Sequence, residues 1–419
     1  LAQHVEQLEP ETRFYMLSTI REYARERLAE SNDEAGTRRA HAAYYLVLAE
    51  EGAEESVAHP EWLDRFEVEH DNFRMSLDYL IRTGDAEWGL RLGAALFRFW
   101  ETREHFREGY DTLTRLLALE GAATRPKLRA RILFAAAVLA GEQGEYASAQ
   151  RLFEESLETC LELNDKRGVA VALNALAVNA RDRGDYILAC ILFERCIAIW
   201  KDLGDSADIA RSLSNLASVL KLQGEYARAS SLYDECLAIF RSVEDGAGVA
   251  WTLNYLGDVA REKADFVAAR SFCEQSLAAF RQLRDGWGIA SALSDLANLM
   301  CDQGNNAEAR RLYGESLRVF QELGHKRGIA RVLECLAASA AAQSNAEQSL
   351  HLAGAAAALR QQLGAPLTPG EKRRLEKALE FARRTLGNAA GLRAWMEGWE
   401  MPVEQALQEA LSCDEAPRP

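Results

Sequence analysis

The sequence predicts an all-α protein in which helical hairpins of 40 residues stack into an α-solenoid. Three observations support this fold class. Similar residues recur every 40 positions, apolar residues within each unit are spaced three and four apart, and no proline interrupts the chain between Pro126 and Pro366. Because a single hairpin cannot bury both of its faces, units of this kind must stack on one another.

The first helix of each unit, helix A, carries a stripe of alanine and leucine. Residues three and four apart lie on one side of a helix, and small residues in the stripe let a neighbouring helix approach closely. Positions separated by 40 residues are called a column below. The two main columns of helix A are Ala130, Ala170, Ala210, Ala250, Ala290 and Ala330, then Leu133, Leu173, Leu213, Leu253, Leu293 and Leu333.

A glycine column ends helix A, and the second helix of the unit, helix B, follows it. We expect Gly184 to adopt the left-handed conformation that ends a helix, and the Asp185 carboxylate to cap helix B. Helix B then carries a small residue and, four positions later, a large ring. The other glycines are Gly144, Gly224 and Gly304, with Ala264 and Ser344 as substitutes; the small residues are Ser156, Cys196, Cys236, Ser276 and Ser316; the rings are Trp200, Phe240, Phe280 and Phe320.

These motifs resemble the tetratricopeptide repeat in its 40-residue form. The resemblance rests on the A-xx-L-xx-L-[AG] run, the G-[DE]-Y-xx-A turn and the aromatic second helix. It covers residues 127–363 as six units, with a divergent seventh hairpin from Asp85 to Leu119. The resemblance implies a superhelix whose A helices line a concave groove, and a peptide, protein or anionic small-molecule ligand bound in that groove.

The N-terminal flank is similar to a segment of bacterial signal-transduction (STAND) ATPases. Residues 13–28 resemble the end of the winged-helix portion that follows the nucleotide-binding NB-ARC core, with a short extended piece at Phe14–Leu17. Residues 41–45 and 67–74 resemble the helical connector that comes next. We therefore assign residues 1–33 to a winged-helix-like tail and residues 34–126 to a helical connector that includes the divergent hairpin.

Residues 364–419 are predicted to form a C-terminal helical cap. A cap is physically required, because the last repeat would otherwise expose its stacking face. The segment around Trp395 and Trp399 also resembles the closing helices of repeat-containing transcriptional regulators. The simpler alternative is that these tryptophans belong to a cap and have no further role.

Composition and motif content argue against several classes of function. A net charge of -15 and a sequence pI near 5.1 disfavour direct nucleic-acid binding by this region. No apolar run of about 18 residues occurs, which predicts no membrane span and a cytoplasmic location. Scattered histidines and cysteines without a CxxC pair predict no metal site, and we expect no cofactor.

The sequence also lacks the motifs expected of an enzyme. There is no GxxxxGK[ST] loop for nucleotide phosphates and no local signature of a catalytic triad or dyad. We therefore expect a non-catalytic chain, with any ATPase activity encoded upstream of Leu1.

The candidate binding residues lie on helix A, in columns that face away from the packing stripe. Amide side chains there can hydrogen-bond to a peptide backbone, cations can bind carboxylates or phosphates, and an exposed indole favours a site that a ligand covers. The alternative is an ordinary solvated helix face. The predicted site comprises Asn174, Arg181, Arg211, Lys221, Trp251, Asn254, Arg261 and Asn298.

Two functional hypotheses follow from the sequence. The first is a ligand- or protein-binding sensor arm of a signal-transduction ATPase that regulates transcription, with the upstream nucleotide-binding domain of the same polypeptide as its internal partner. The second is a free-standing tetratricopeptide adaptor or peptide-binding scaffold. A phosphate-binding loop upstream in the same gene would distinguish the first from the second.

Overall fold

A computed structural model of the chain describes residues 7–8, 11–12, 18–31, 33–55 and 61–411. The extended piece expected at Phe14–Leu17 and the final residues of the predicted cap, 412–419, lie outside these ranges. No helix within the described ranges is both long and apolar enough to cross a membrane.

The described residues are almost entirely helical. A short antiparallel pair of two-residue strands, β1 (Gln7–Leu8) and β2 (Glu11–Thr12), precedes the first helix. The helices of the N-terminal part are α1 (Ser18–Ala29), α2 (Glu34–Glu55), α3 (Glu61–Val68), α4 (His70–Thr83), α5 (Ala86–Thr102) and α6 (Phe106–Leu117), with a 3₁₀ turn at Glu120–Ala122.

Six helical hairpins then follow at the predicted period, which confirms the α-solenoid fold class. Each pairs one helix A with one helix B, and α5 with α6 occupies the segment of the divergent hairpin. The hairpins are α7 (Pro126–Glu142) with α8 (Tyr146–Glu162), α9 (Lys166–Arg183) with α10 (Tyr186–Leu203), α11 (Ser206–Leu222) with α12 (Tyr226–Ser242), α13 (Gly246–Glu262) with α14 (Phe266–Leu283), α15 (Gly286–Asp302) with α16 (Asn306–Glu322), and α17 (Lys326–Ala342) with α18 (Ala346–Leu363).

The chain forms two compact units. The first contains Leu1–Phe99 and Thr112–Leu128, and the second contains Trp100–Asp111 and Arg129–Pro419. The second unit holds almost all of the repeat region and the cap helices α19 (Pro369–Glu400) and α20 (Val403–Leu411). The four segments proposed from the sequence, with boundaries at residues 33, 126 and 363, stay a prediction.

The turn chemistry expected at Gly184 and Asp185 is confirmed. Gly184 has a φ of 89°, and the Asp185 carboxylate accepts a hydrogen bond of 3.1 Å from the Leu188 N–H. The substitutes Ala264 and Ser344 adopt the same left-handed region, with φ of 59° and 65°. The backbone conformation is therefore kept where the glycine is absent.

Helix B packs both on helix A of its own repeat and on helix A of the next one. The ring column lies against a glycine at the start of the next helix A: a Cβ added at Gly288 of α15 would stand 2.2 Å from a ring carbon of Phe280 on α14. The small column donates hydrogen bonds to helix A carbonyls, as Ser276 does to Ala250 at 2.9 Å. Ser156, Cys196, Cys236 and Ser316 bond in the same way to Ala130, Ala170, Ala210 and Ala290.

Helix A lines the inner face of the repeat stack. Within the second unit, α9, α11, α13, α15 and α17 contact one another in succession and lie closer together than successive B helices do. Side chains at equivalent positions of neighbouring A helices therefore meet on the concave face, where the sequence analysis places the candidate site.

The second unit also closes on itself. Arg327 at the start of α17 forms an ion pair with Glu142 at the end of α7, and its backbone N–H donates to the Glu104 carboxylate at 3.0 Å. The cap helix α19 packs on α18 and contacts α9. The first and last repeats are thus joined directly by polar contacts.

Candidate functional site

Side chains on the concave face are linked across repeats by a register of 41 residues. The Asn215 amide donates to the Asn174 side-chain oxygen at 3.2 Å. The Asn254 amide donates to Asp295 at 2.7 Å, and Arg261 donates to Asp302 at 2.8 Å. The equivalent of a residue on the next A helix is 40 positions later. The observed contacts are therefore made with the residue that directly follows this equivalent.

Asp258 is the centre of a charged cluster on α13. Lys221 of α11 and Arg261 of α13 both bind its carboxylate, and Arg261 also binds Asp302 of α15. Burial opposes ionisation of Asp258, but the charges of Lys221 and Arg261 hold the pKa of its carboxyl well below the usual range. Burial likewise opposes the charge of Arg261, but Asp258 keeps the pKa of its guanidinium above the ordinary value.

Asp295 on α15 is the centre of a second polar cluster. It accepts from Asn254, lies 3.5 Å from the Asn298 amide nitrogen and is 3.6 Å from the Arg331 guanidinium. Asn298 in turn accepts a hydrogen bond of 2.6 Å from the Tyr313 hydroxyl. Most polar atoms of the two clusters are therefore already engaged by other side chains of the chain.

An aromatic cluster surrounds Trp251. Its ring centroid lies 4.7 Å from that of Phe280 and 4.5 Å from that of Trp287, and Tyr255 lies one turn further along α13 at 6.0 Å. Trp251 is half-buried by these contacts, whereas Trp287 remains 44% exposed. Exposed indole surface of this kind is costly unless a ligand or partner covers it.

A cleft of about 320 Å³ opens between α11 and α13 beside this cluster. One side is aromatic, and the other carries an amide and an ion pair in which the Arg211 side chain is 56% exposed. A cleft of this size accommodates a side chain or a small polar group. We call it the aromatic cleft; it is lined by Arg211, Asn215, Phe240, Asp245, Trp251 and Tyr255.

The structure places the eight predicted residues in three arrangements. Lys221 and Arg261 meet at Asp258, Asn254 and Asn298 meet at Asp295, and Arg211 and Trp251 share the aromatic cleft. Asn174 and Arg181 on α9 do not line that cleft. Arg181 pairs with its neighbour Asp182 at 2.8 Å, and Asn174 bonds to Asn215.

Two parts of the expected geometry need correction. The cations were expected to offer free charge to a ligand, but each of the four is paired with a carboxylate of this chain. Those pairs are Arg181–Asp182, Arg211–Asp208, Lys221–Asp258 and Arg261–Asp258. Asn254 was expected to be accessible, but it is 3% exposed, and its amide oxygen has no hydrogen-bond partner within the described part of the chain.

Sequence reasoning missed several residues of this surface. Trp287 belongs to a column one helical turn before that of Trp251, and it reaches Trp251 diagonally from the next A helix. The other missed residues form the column that directly follows the one containing Asn254. They are Asn215, Tyr255 and Asp295. Trp287 would have been found by also comparing residues about one helical turn apart on neighbouring A helices, and not only residues exactly 40 positions apart.

One cluster in the cap resembles a metal site in composition. Ligand atoms of Glu347, His351 and Glu397 lie within 4.8 Å of one another. His351 lies 3.3 Å from Glu397 and 2.9 Å from Glu409, which are distances of ordinary side-chain hydrogen bonds. Exposed acidic groups of this kind are common without a metal, so we assign no ligand here.

The fold is an α-solenoid of helical hairpins, and most of these hairpins match a known repeat family. The tetratricopeptide repeat family matches residues 128–202, 168–242 and 208–282, and a further tetratricopeptide repeat matches residues 289–323. Four of the six hairpins fall almost entirely within these ranges and a fifth falls largely within them, so these units match tetratricopeptide repeats.

Known proteins similar to this chain include bacterial regulators. HTH-type transcriptional regulators of Mycobacterium bovis and Mycobacterium tuberculosis are 32% identical to it over 132 residues, or 30% of this chain. The match spans only 15% of the length of these relatives.

Solved structures share the fold at low sequence identity. A Rap protein complexed with competence and sporulation factor matches with a TM-score of 0.57 and 12% identity, covering 80% of this chain and 97% of that one. Apo RapI matches with a TM-score of 0.52 and 14% identity, covering 67% and 99%. These structures support the helical solenoid fold and carry no assignment of a ligand.

Proposed function

We propose that this chain is a non-catalytic sensor arm of a bacterial transcriptional regulator, and that it binds a short peptide across its concave face. The observation that carries the proposal is the aromatic cleft with the exposed Trp287 beside it. Aromatic rings next to amide and guanidinium groups suit a peptide, since rings hold side chains while amides bond to the backbone. The resemblance to HTH-type transcriptional regulators supports the regulatory role.

The finer proposal is that the arm belongs to a STAND-type signal-transduction ATPase. The winged-helix-like and connector-like segments at residues 13–28 and 67–74 support it. Ligand binding would then bias the packing of the solenoid on the nucleotide-binding core. We expect the reading frame upstream of Leu1 to encode a GxxxxGK[ST] loop. A frame without that loop would favour the free-standing adaptor instead.

The binding proposal is tested by selecting peptides from a random heptapeptide library on the whole chain and titrating the selected peptides calorimetrically. Trp251→Ala is expected to weaken binding by about 2 kcal/mol, or roughly thirtyfold, because it removes the central ring of the cleft. Arg211→Glu is expected to weaken the binding of acidic peptides and to reduce the salt dependence of that binding.

Ile187→Ala is the matched control, since Ile187 is a large apolar residue on a B helix, 73% exposed, and lies outside the cleft. It should leave affinity unchanged. Peptides that bind Trp251→Ala as tightly as the parent chain, with unchanged helicity, would place the binding site elsewhere.

A further inference from the structure

A second cavity, of about 560 Å³, lies between the last repeat and the cap and is separate from the aromatic cleft. It is formed mainly by α18, the loop that follows it and α19, and Glu334 of α17 contributes to its lining. Its lining is mainly apolar, and its volume falls within the range of small-molecule sites, roughly 300–1,000 Å³. We call it the cap pocket; the residues that define it are Ala357, Lys372, Leu375, Leu379, Arg383 and Trp395.

One face of α19 gives the cap pocket its character. Lys372, Leu375, Leu379 and Arg383 are spaced three and four residues apart, so they share one stripe of the helix. The two cations lie at the ends of the stripe, about 16 Å apart along the helix axis, and the leucines lie between them. The stripe therefore offers an apolar centre with a positive charge at either end.

The charges deeper in the cap pocket are already neutralised. Arg360 is 6% exposed, binds both oxygens of the Glu334 carboxylate and also donates to the Ala365 carbonyl. Burial raises the pKa of Glu334 despite this pairing. The interior of the cap pocket thus has no spare charge, and its selectivity depends on the residues at its rim.

The rim is positive although the chain as a whole is strongly acidic. Neither Lys372 nor Arg383 forms an ion pair within the described part of the chain, and the Arg383 guanidinium lies 5.8 Å from the Trp395 ring centroid. Glu376 is the opposing charge among the exposed lining residues. Lys372 is therefore the cation best placed to receive an anionic group, since Arg383 is already stacked on a ring.

We infer that the cap pocket binds a small amphipathic monoanion, a medium-chain carboxylate, with its carboxylate at Lys372 and its chain along Leu375 and Leu379. Gln143, in the turn between α7 and α8 of the first repeat, also lines the cavity. A bound anion would therefore contact both the cap and the first repeat. The cap pocket shares no lining residue with the aromatic cleft that carries the proposed function.

The test uses sodium decanoate below its micelle-forming concentration, with decanol as the uncharged counterpart, titrated into the whole chain by calorimetry. Decanoate is expected to bind saturably with one site, and decanol at least about tenfold more weakly, because only the carboxylate can pair with Lys372. Lys372→Glu should lower the affinity for decanoate by a similar factor, about tenfold or more. Ala357→Phe should abolish binding of both compounds by filling the cavity.

Two control variants establish whether the loss of decanoate binding is specific to Lys372 and to the cap pocket. Lys377→Glu makes the same charge change on the same helix but lies outside the lining, so it should bind decanoate normally. Trp251→Ala should also bind decanoate normally, because Trp251 does not line the cap pocket. Peptide binding and decanoate binding can therefore fail independently of each other. Equal binding of decanol and decanoate, equal losses in the two lysine variants, or absence of saturable binding would each overturn the inference.

Discussion

Ala264 adopts a left-handed backbone conformation that is unfavourable for a residue with a Cβ. Its φ of 59° is the left-handed conformation that Gly144, Gly184, Gly224 and Gly304 adopt in the other repeats. For a residue with a Cβ this conformation costs roughly 1 kcal/mol or more, while glycine tolerates it. Glycine would therefore suit the turn between α13 and α14 better than Ala264 does.

We expect Ala264→Gly to raise the free energy of unfolding by about 0.5–1 kcal/mol, measured by denaturant titration. The reverse change, Gly224→Ala, should lower it by a similar amount. A Cβ at Gly224 would meet no atom within 4 Å, so its effect isolates the backbone conformation from packing. Stabilisation by both changes, or by neither, would show that the turns do not govern stability in this way.

At the same scale, the sequence allowed the turn residues to be predicted but not the ion pairs. The glycine and acid at Gly184 and Asp185 act locally, so their roles follow from neighbouring residues alone. Lys221 and Asp258 are 37 residues apart and meet only because adjacent A helices lie at a particular offset. That offset depends on side-chain packing between repeats, which column composition does not specify.

His325 caps helix α17 at a position where four of the other five repeats use aspartate. Asp165, Asp205, Asp245 and Asp285 each accept a hydrogen bond at the start of helix A. His325 does so through Nδ1, which accepts from the Gly328 N–H at 2.9 Å. A protonated imidazole has no free acceptor, so this cap exists only in the neutral form.

The pH dependence of this cap can be predicted in sign. Burial, reinforced by Arg327, lowers the pKa of His325 from its usual value, although the Glu104 carboxylate lies 3.9 Å from Nδ1. Because the unfolded chain takes up the proton first, this contribution is present above about pH 6.5 and is lost as the pH falls through the lowered folded pKa. We expect a loss of about 1 kcal/mol, comparable to removing a cap.

The measurement is the free energy of unfolding between about pH 7.5 and 5.5, a window chosen above the usual carboxylate range. His325→Asn is the matched variant, because an asparagine side chain accepts the same hydrogen bond at every pH, as Asn305 does at the start of α16. The variant should show a flatter profile than the parent chain. Parallel profiles would mean that titration of His325 does not affect the fold.

At the scale of elements, the sequence predicted the helices and their order but only part of the aromatic cleft. Trp251 stood out as a large ring on a column otherwise expected to face water. Trp287, which completes the cluster, is 36 residues away on the next A helix and makes its contact diagonally. Contacts within one helix follow from its period, whereas contacts between helices require the geometry of their packing.

At the scale of the whole repeat region, contacts between its first and last repeats could not be predicted from the sequence. Arg327 and Glu142 are 185 residues apart. They meet because a small rotation at each repeat accumulates along the stack, and no single repeat contains information about the total. In a repeat protein, where each unit otherwise contacts its neighbours, such a contact couples distant units directly.

We therefore expect charge reversal at this junction to be rescued by a compensating reversal. Arg327→Glu places a third acid beside Glu142 and Glu104, and burial already raises the pKa of Glu104. The variant should lose about 1 kcal/mol of stability, a modest value because Arg327 and Glu142 are 39% and 30% exposed. Combining it with Glu142→Arg should recover most of that loss.

The readout is a double-mutant cycle from denaturant unfolding, together with hydrogen exchange at the first turn of α17, where the Arg327 N–H donates to Glu104. Arg311→Glu is the control, since its pairs with Glu308 and Glu315 are confined to α16. It should cost under about 0.5 kcal/mol and leave exchange in α17 unchanged. Of the pairs compared here, the Arg327–Glu142 pair joins opposite ends of the repeat stack, whereas the Arg311 pairs do not. Rescue in the double variant therefore requires that the two ends meet in solution. Additive losses in that variant would show that they do not.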